Sequence, residues 1–309
     1  MSYISNIRTD LALEINENVN KDDSAYRGIV VTEDVDKATD IKVTTLEIVN
    51  KHGEKILGRE KGRYITIEAK ELSYAEEDYS KKLTDIVADK IIGLTKPHIE
   101  KGGNVLVVGL GNREVTADSL GPLVVDGLNI NRHLDSESKV LITSLCPGVM
   151  AQTGIETAQI IKGVVTESKP KVIIVIDALA ARDSRRLNST IQISDRGINP
   201  GSGVGNHRVG ITEKYVGVPV VAIGVPTVID APTIVYDALD TFIKAMGSVE
   251  GLDDMARIME CYNDEEKYEL AQEVISPIMA DMYVTPKDID SDVRIIGGII
   301  ANAINCLCA

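Results

Sequence analysis

NVLVVGLGNREVTADSLGP, Asn104 to Pro122, decides how the rest of this chain is read. Val105-Leu106-Val107-Val108 is an unbroken apolar run, too short for a helix and rich in β-branched residues. That is the pattern of a strand buried on both faces in a parallel sheet. The run breaks at Gly109-Leu110-Gly111-Asn112, where glycine permits a tight turn and close backbone approach. Asp118 follows in a polar loop, and an apolar helix starts near Leu120. Strand, glycine turn, loop and helix is how open α/β folds place active sites at the carboxyl ends of strands. A second unit of the same kind, VIIVIDALAA at Val172 to Ala181, sets Asp177 at the end of another apolar run.

Outward from these two units the pattern alternates. Strands are expected at 104–109, 139–145, 172–177 and 218–224, and helices near 120–132, 153–166 and 231–246. The alternation predicts an α/β fold: a doubly wound, mostly parallel sheet flanked by helices. Upstream, Ile41 to Val49 alternates with period two, and Gly28 to Glu33 and Arg63 to Glu68 are β-rich. They predict a small antiparallel β lobe at about 28–70, with Asn50 to Gly53 and Arg59 to Gly62 as turns. Leu83, Ile86, Val87, Ile91, Ile92 and Leu94 have helical spacing, and that helix is expected to end before Pro97. Ile191 to Asp195 reads as a further strand leading into RGINPGSGVGNHR, Arg196 to Arg208. A glycine loop of that length beside a sheet points to function. From about 250 onward the pattern is helical.

The composition narrows the function. The 309 residues fit one large α/β domain, and a net charge of -14 argues against nucleic-acid binding as a primary role. Cys146, Cys261, Cys306 and Cys308 show no metal-ligand spacing, and a reduced, cytoplasmic setting is expected. Cys146 reads best as a small buried hydrophobe. The first ten residues lack an apolar signal region. The apolar stretch from Val293 to Leu307 is interrupted by Arg294, Asn302 and Asn305, so no membrane span is expected.

The familiar motifs fail one by one. Gly109-x-Gly111 opens like a dinucleotide fingerprint, but its sixth position is Glu114, an acid where a pyrophosphate would lie. Gly201-Ser202-Gly203-Val204-Gly205 is not followed by the Lys-Ser/Thr of a phosphate loop. There is no G-x-S-x-G elbow and no H-E-x-x-H. No cofactor is expected. His207, in the glycine loop, is the one histidine placed near a crevice.

The two aspartates remain. Each alone reads as a helix cap or turn residue. On two strands of one parallel sheet they can converge, and paired carboxylates share a proton because both cannot easily ionise. One then acts as general base toward water and the other as general acid. The alternative is a divalent metal, with a further ligand from the glycine loop. Gly111 and Asn112, or Gly201, Ser202, Gly203 and Asn206, offer backbone N–H groups to a developing oxyanion.

A set of blocks carries a resemblance. They include Ile7-Arg-Thr-Asp-Leu-Ala12, Lys61-Gly-Arg-Tyr64, Val107-Val-Gly-Leu-Gly-Asn112, Asp118-Ser-Leu-Gly-Pro122, Ile176-Asp-Ala-Leu-Ala-Ala-Arg182, Pro200-Gly-Ser-Gly-Val-Gly-Asn206 and Val284-Thr-Pro-Lys287. In this order, across nearly the whole chain, they resemble the spore germination protease family, endopeptidases of small acid-soluble spore proteins. The resemblance implies a core like that of hydrogenase maturation peptidases, a homotetramer in the cytoplasm of the spore core, and an atypical aspartic mechanism without an essential metal or cofactor. It places the family's essential aspartates on Asp118 and Asp177. It also implies a zymogen that removes its own residues 1–10 by cutting between Asp10 and Leu11, leaving 11–309 as a single peptidase domain. No direct nucleic-acid or membrane partner is implied.

Overall fold

The computed structural model describes residues 11, 28–70, 72, 76–100, 102–134, 138–201, 208–249, 261–275, 279 and 282–308. Among them, nine strands join one sheet: β1 (Ile29–Asp36), β2 (Ile41–Ile48), β3 (Gly62–Glu68), β4 (Gly103–Gly109), β5 (Val140–Leu145), β6 (Val172–Ala181), β7 (Thr190–Ser194), β8 (Val220–Asp230) and β9 (Tyr283–Val284). The order is β1-β2-β3-β7-β8-β6-β4-β5, with β9 added to β8. The apolar runs form the parallel part, β5-β4-β6-β8. Every other pairing is antiparallel, so the sheet is mixed rather than mostly parallel. The amino-terminal strands do not precede the main sheet as a separate lobe. β3 pairs with β7 from Tyr64↔Ser194 to Glu68↔Thr190, which extends the same sheet.

Helices cover both faces, as a doubly wound arrangement requires. On one face, α2 (Glu77–Ile99), α3 (Leu120–Asp126) and α9 (Ile289–Asn305) pack Leu83, Val87, Ile91, Val124, Val293 and Ile300 onto Val107, Ile174, Ile176 and Ile223. On the other, α5 (Thr157–Ser168) and α6 (Glu213–Val216) pack Ala158, Ile161, Val165 and Val216 onto Leu106, Val108, Ile173 and Val175. The helix α9, with the turn that follows it, is long and apolar enough by composition to cross a membrane. Its Val293, Ile296, Ile300 and Ile304 are wholly buried in the core. The remaining helices are α1 (Lys51–Leu57), α4 (Met150–Thr153), α7 (Ala231–Met246) and α8 (Asp264–Val274).

Two local expectations fail for identifiable reasons. Asn50 to Gly53 starts α1 instead of forming a turn. The Asn50 side chain accepts hydrogen bonds from the His52 and Gly53 N–H groups, which caps the helix, and Gly58 closes it in the left-handed conformation. α2 runs through Pro97 to Ile99. Pro97 sits in the last turn, where one helical hydrogen bond is forgone, while Leu94 and Ile99 on either side are buried in the core.

Candidate active site

β4 is the shorter of two neighbours. Its last pairing is Gly109↔Ile176, and the Leu110 N–H donates to the Ile176 carbonyl at 2.8 Å. β6 continues without it to Ala181, four residues beyond the expected end, because Ala178 to Ala181 stay apolar and keep pairing with β8. Asp177 is therefore inside a strand, at the lip where the sheet loses β4. It is 7% exposed, and its Oδ1 accepts the Ala178 N–H at 3.0 Å.

Asp118 arrives from the other side of this lip, on a 3-10 turn spanning Thr116–Asp118. The turn is fixed at three points. The Thr227 hydroxyl of β8 donates to the Ala117 carbonyl at 2.7 Å. The Ser119 hydroxyl donates to the Thr116 carbonyl at 2.8 Å. The Asn112 N–H donates to Asp118 Oδ2 at 2.8 Å. Glycine makes the crowding tolerable: Gly111 has φ +103°, and a Cβ there would overlap the Asp118 carbonyl oxygen and stand 2.8 Å from its Oδ1.

Asp118 and Asp177 line one cavity of about 320 Å³, together with Gly111, Gly201, Arg208 and Tyr283. The structure thus brings together four of the residues singled out from sequence: Asp118, Asp177, Gly111 and Gly201. Asn112 stands just behind, with its N–H already engaged by Asp118 rather than directed at an oxyanion. Asp10, Ser202, Gly203, Asn206 and His207 lie outside the described residues. Leu11 is described and is 0% exposed. Sequence reasoning missed Arg208 and Thr227. Arg208 ends the glycine loop, and a cation beside two strand-end aspartates was the available signal. Thr227 carried none, because its contact with Ala117 spans 110 residues.

The electrostatics separate Asp118 from a simple shared-proton pair. Burial pushes its carboxyl above the ordinary value, while the Asn112 N–H and the charge of Arg208 pull it back. Burial is the cause that raises it, not repulsion from a neighbouring carboxylate. A carboxyl whose proton is held more tightly because of burial can donate it to a leaving group, and Arg208 can receive negative charge that develops beside it. Among the described residues, no three His, Cys, Asp or Glu side chains cluster to hold a metal. Cys146 is exposed rather than buried, and its thiol is shifted up, away from a reactive thiolate.

Thr227→Val tests the pinning of the turn. Removing the hydroxyl takes this bond from the Ala117 carbonyl in a partly buried setting, a loss of about 1 kcal/mol. Once Asp118 is less firmly held, kcat falls ~10-fold with little change in KM, a modest case of catalytic misplacement. An unchanged kcat alongside a lowered melting temperature would show that the turn does not depend on this bond.

A sequence model of the germination protease family matches residues 7–258. The germination protease of Caldanaerobacter subterraneus subsp. tengcongensis is 42% identical, over 99% of this chain and 95% of the relative. That of Clostridium acetobutylicum is 39% identical, over 98% and 95%. That of Bacillus subtilis is 38% identical, over 97% and 92%. With a two-carboxylate cavity at the carboxyl edge of the parallel strands and relatives matched along nearly its whole length, the chain belongs to the germination protease family.

Proposed function

We propose that this chain is an endopeptidase that cuts small acid-soluble spore proteins during germination, using Asp118 and Asp177 as the two carboxylates of an aspartic-type hydrolysis. The observation that carries the reading is the shared cavity, with both carboxyls at its wall and a guanidinium beside one of them. Asp177, held by the Ala178 N–H, acts as general base toward water. Asp118, its carboxyl raised by burial, protonates the departing amine. Arg208, with backbone N–H groups at Gly111 and Gly201, receives the charge on the tetrahedral oxygen.

The same reading makes the chain a zymogen in the spore core cytoplasm, a homotetramer, and its own first substrate at the Asp10–Leu11 bond. It also relates the four parallel strands to the hydrogenase maturation peptidase core. The relatives' name, germination protease, supports the setting in germination, and the sequence Thr9-Asp10-Leu11-Ala12 supports the position of the cut. The test is mass spectrometry of the amino terminus after incubation of the intact chain at mildly acidic pH, with and without prior dialysis against EDTA. A product beginning at Leu11 is expected in both samples. A product that forms only when divalent cation is restored would assign the aspartates to metal ligation instead, and no product at all would remove the self-processing reading.

A further inference from the structure

The start of α5 forms part of the wall of the catalytic cavity. Thr157, the first residue of that helix, lines the same space as Asp118 and Asp177. The topology places it there. β5 runs parallel to β4, so α4 and then α5 set out from the carboxyl edge of the sheet. α5 covers one face, with Ala158 and Ile161 packed among Ile173 and Val175 of β6. Asp177 is two residues beyond Val175, so its side chain belongs to that face. α3, the helix behind Asp118, packs on the opposite face.

Thr157 is 6% exposed. Among the described residues its hydroxyl has no hydrogen-bond partner, yet its oxygen is not sealed inside the protein. The space it meets is the cavity. Helical Cα–Cβ bonds tilt toward the amino terminus, so a side chain at the first position projects past the end of the helix. A polar group buried this far and left without a partner calls for one from outside the chain. The helix end points the same way. Glu156, the N-cap, makes no side-chain capping bond. Its carbonyl accepts the Gln159 and Ile160 N–H groups at 2.9 and 3.3 Å. The Thr157 and Ala158 N–H groups have no partner within the helix. The positive end of a 12-residue helix therefore borders the cavity uncapped.

These features suit an oxygen that gains charge. When water adds to a peptide carbonyl, its oxygen bonds to carbon and the carbonyl π electrons move onto the carbonyl oxygen. The Thr157 hydroxyl, able to turn, can donate to that oxygen while keeping its own proton. The helix end favours the anion over the neutral carbonyl. An interaction stronger in the transition state than in the bound substrate raises kcat and leaves KM nearly unchanged.

We infer that Thr157 is a further catalytic residue, whose hydroxyl at the amino-terminal end of α5 joins Arg208 in holding the oxyanion formed from the scissile carbonyl. The inference deepens the peptidase reading above and rests on it for the identity of the reaction.

The test compares the wild-type chain with Thr157→Val, which keeps the shape, and Thr157→Ser, which keeps the hydroxyl. On a peptide of residues 7–18, Thr157→Val is expected to lower kcat ~10²-fold with KM within about 2-fold, and Thr157→Ser to recover most of the loss. The second probe is the same peptide with a phosphinate in place of the Asp10–Leu11 amide, a stable mimic of the tetrahedral anion. Thr157→Val is expected to weaken its binding by ~10²-fold, and Thr157→Ser to bind it nearly as the wild type does. If Thr157→Val unfolds the chain, Thr157→Ala set against Thr157→Ser makes the same comparison, since those two differ only by the hydroxyl. An unchanged kcat without the hydroxyl, an equal loss in Thr157→Ser, or phosphinate affinity independent of the hydroxyl overturns the assignment. The peptidase reading is scored on the wild type alone. No cleavage by the wild type refutes that reading, and hydroxyl-dependent phosphinate binding then leaves Thr157 standing as the donor to an anionic oxygen. Cleavage at the same rate by the wild type and Thr157→Val does the reverse.

Discussion

Asp177→Asn yields a folded chain that never produces the Leu11 terminus, and its kcat on protein substrate falls by ~10³-fold or more, within the range of a lost general acid or base. Asp118→Asn does the same. Asparagine fills the same volume at either site but cannot exchange a proton with water or with the leaving amine. Asp118→Asn also changes stability, and the sign follows from burial. The Asp118 carboxyl is raised above its ordinary 3.8 in the folded chain. Its contribution to folding is therefore fully present below that ordinary value and is lost as pH rises through the raised one. Asp118→Asn removes the loss. Its melting temperature at neutral pH is expected above that of the wild type, and the difference should shrink as the pH is lowered. Thermal unfolding over a pH series, with autoprocessing followed alongside, measures both effects. Residual self-cleavage in either purified variant would sink the assignment of that residue. A less stable Asp118→Asn at neutral pH would contradict the role of burial.

The second large effect falls on a residue with no functional group. Gly111→Ala places a methyl group against the Asp118 carbonyl oxygen and carboxylate, at a backbone angle of φ +103°. The angle alone costs ~1–3 kcal/mol for a residue with a side chain. The overlap adds to this, because the Asp118 turn must move, and a shift of ~1 Å at a catalytic group lowers kcat by ~10²-fold. Gly217→Ala separates the two contributions. Gly217 has φ +83°, yet a Cβ there would meet nothing within 4 Å. It is expected to lower the melting temperature by strain alone and to leave kcat unchanged. If Gly111→Ala behaves like Gly217→Ala, the glycine turn does not position Asp118.

These residues also show what a sequence can disclose. β4 and β6 were legible because strands covered on both faces must be apolar throughout, so they stand out as unbroken runs. Asp118 and Asp177 were legible as interruptions of that pattern. The continuation of β6 past Asp177 was not, since alanines suit a strand, a helix or a turn equally. The helix at Lys51–Leu57 was hidden by Asn50 and Gly53, which serve turns as readily as caps. The docking of β3 on β7 was out of reach, because neither strand records which distant edge it meets. Arg208 and Thr227 act only through neighbours far along the chain, and neither forms a motif with them.

The mixed sheet has a consequence for synthesis. Of the strands, β1, β2 and β3 leave the ribosome first, but beyond β2 the edge of β3 pairs with residues 190–194, and within the sheet those strands reach the parallel part only through β7 and β8. At ~5–20 residues per second, that edge waits on the order of 10 s for its partner, with its N–H and C=O groups unpaired. These strands can pack on α2 early, yet their sheet edge is among the last to be completed. A nascent chain arrested near residue 180 would hold a finished three-stranded meander whose open side remains available to any other strand.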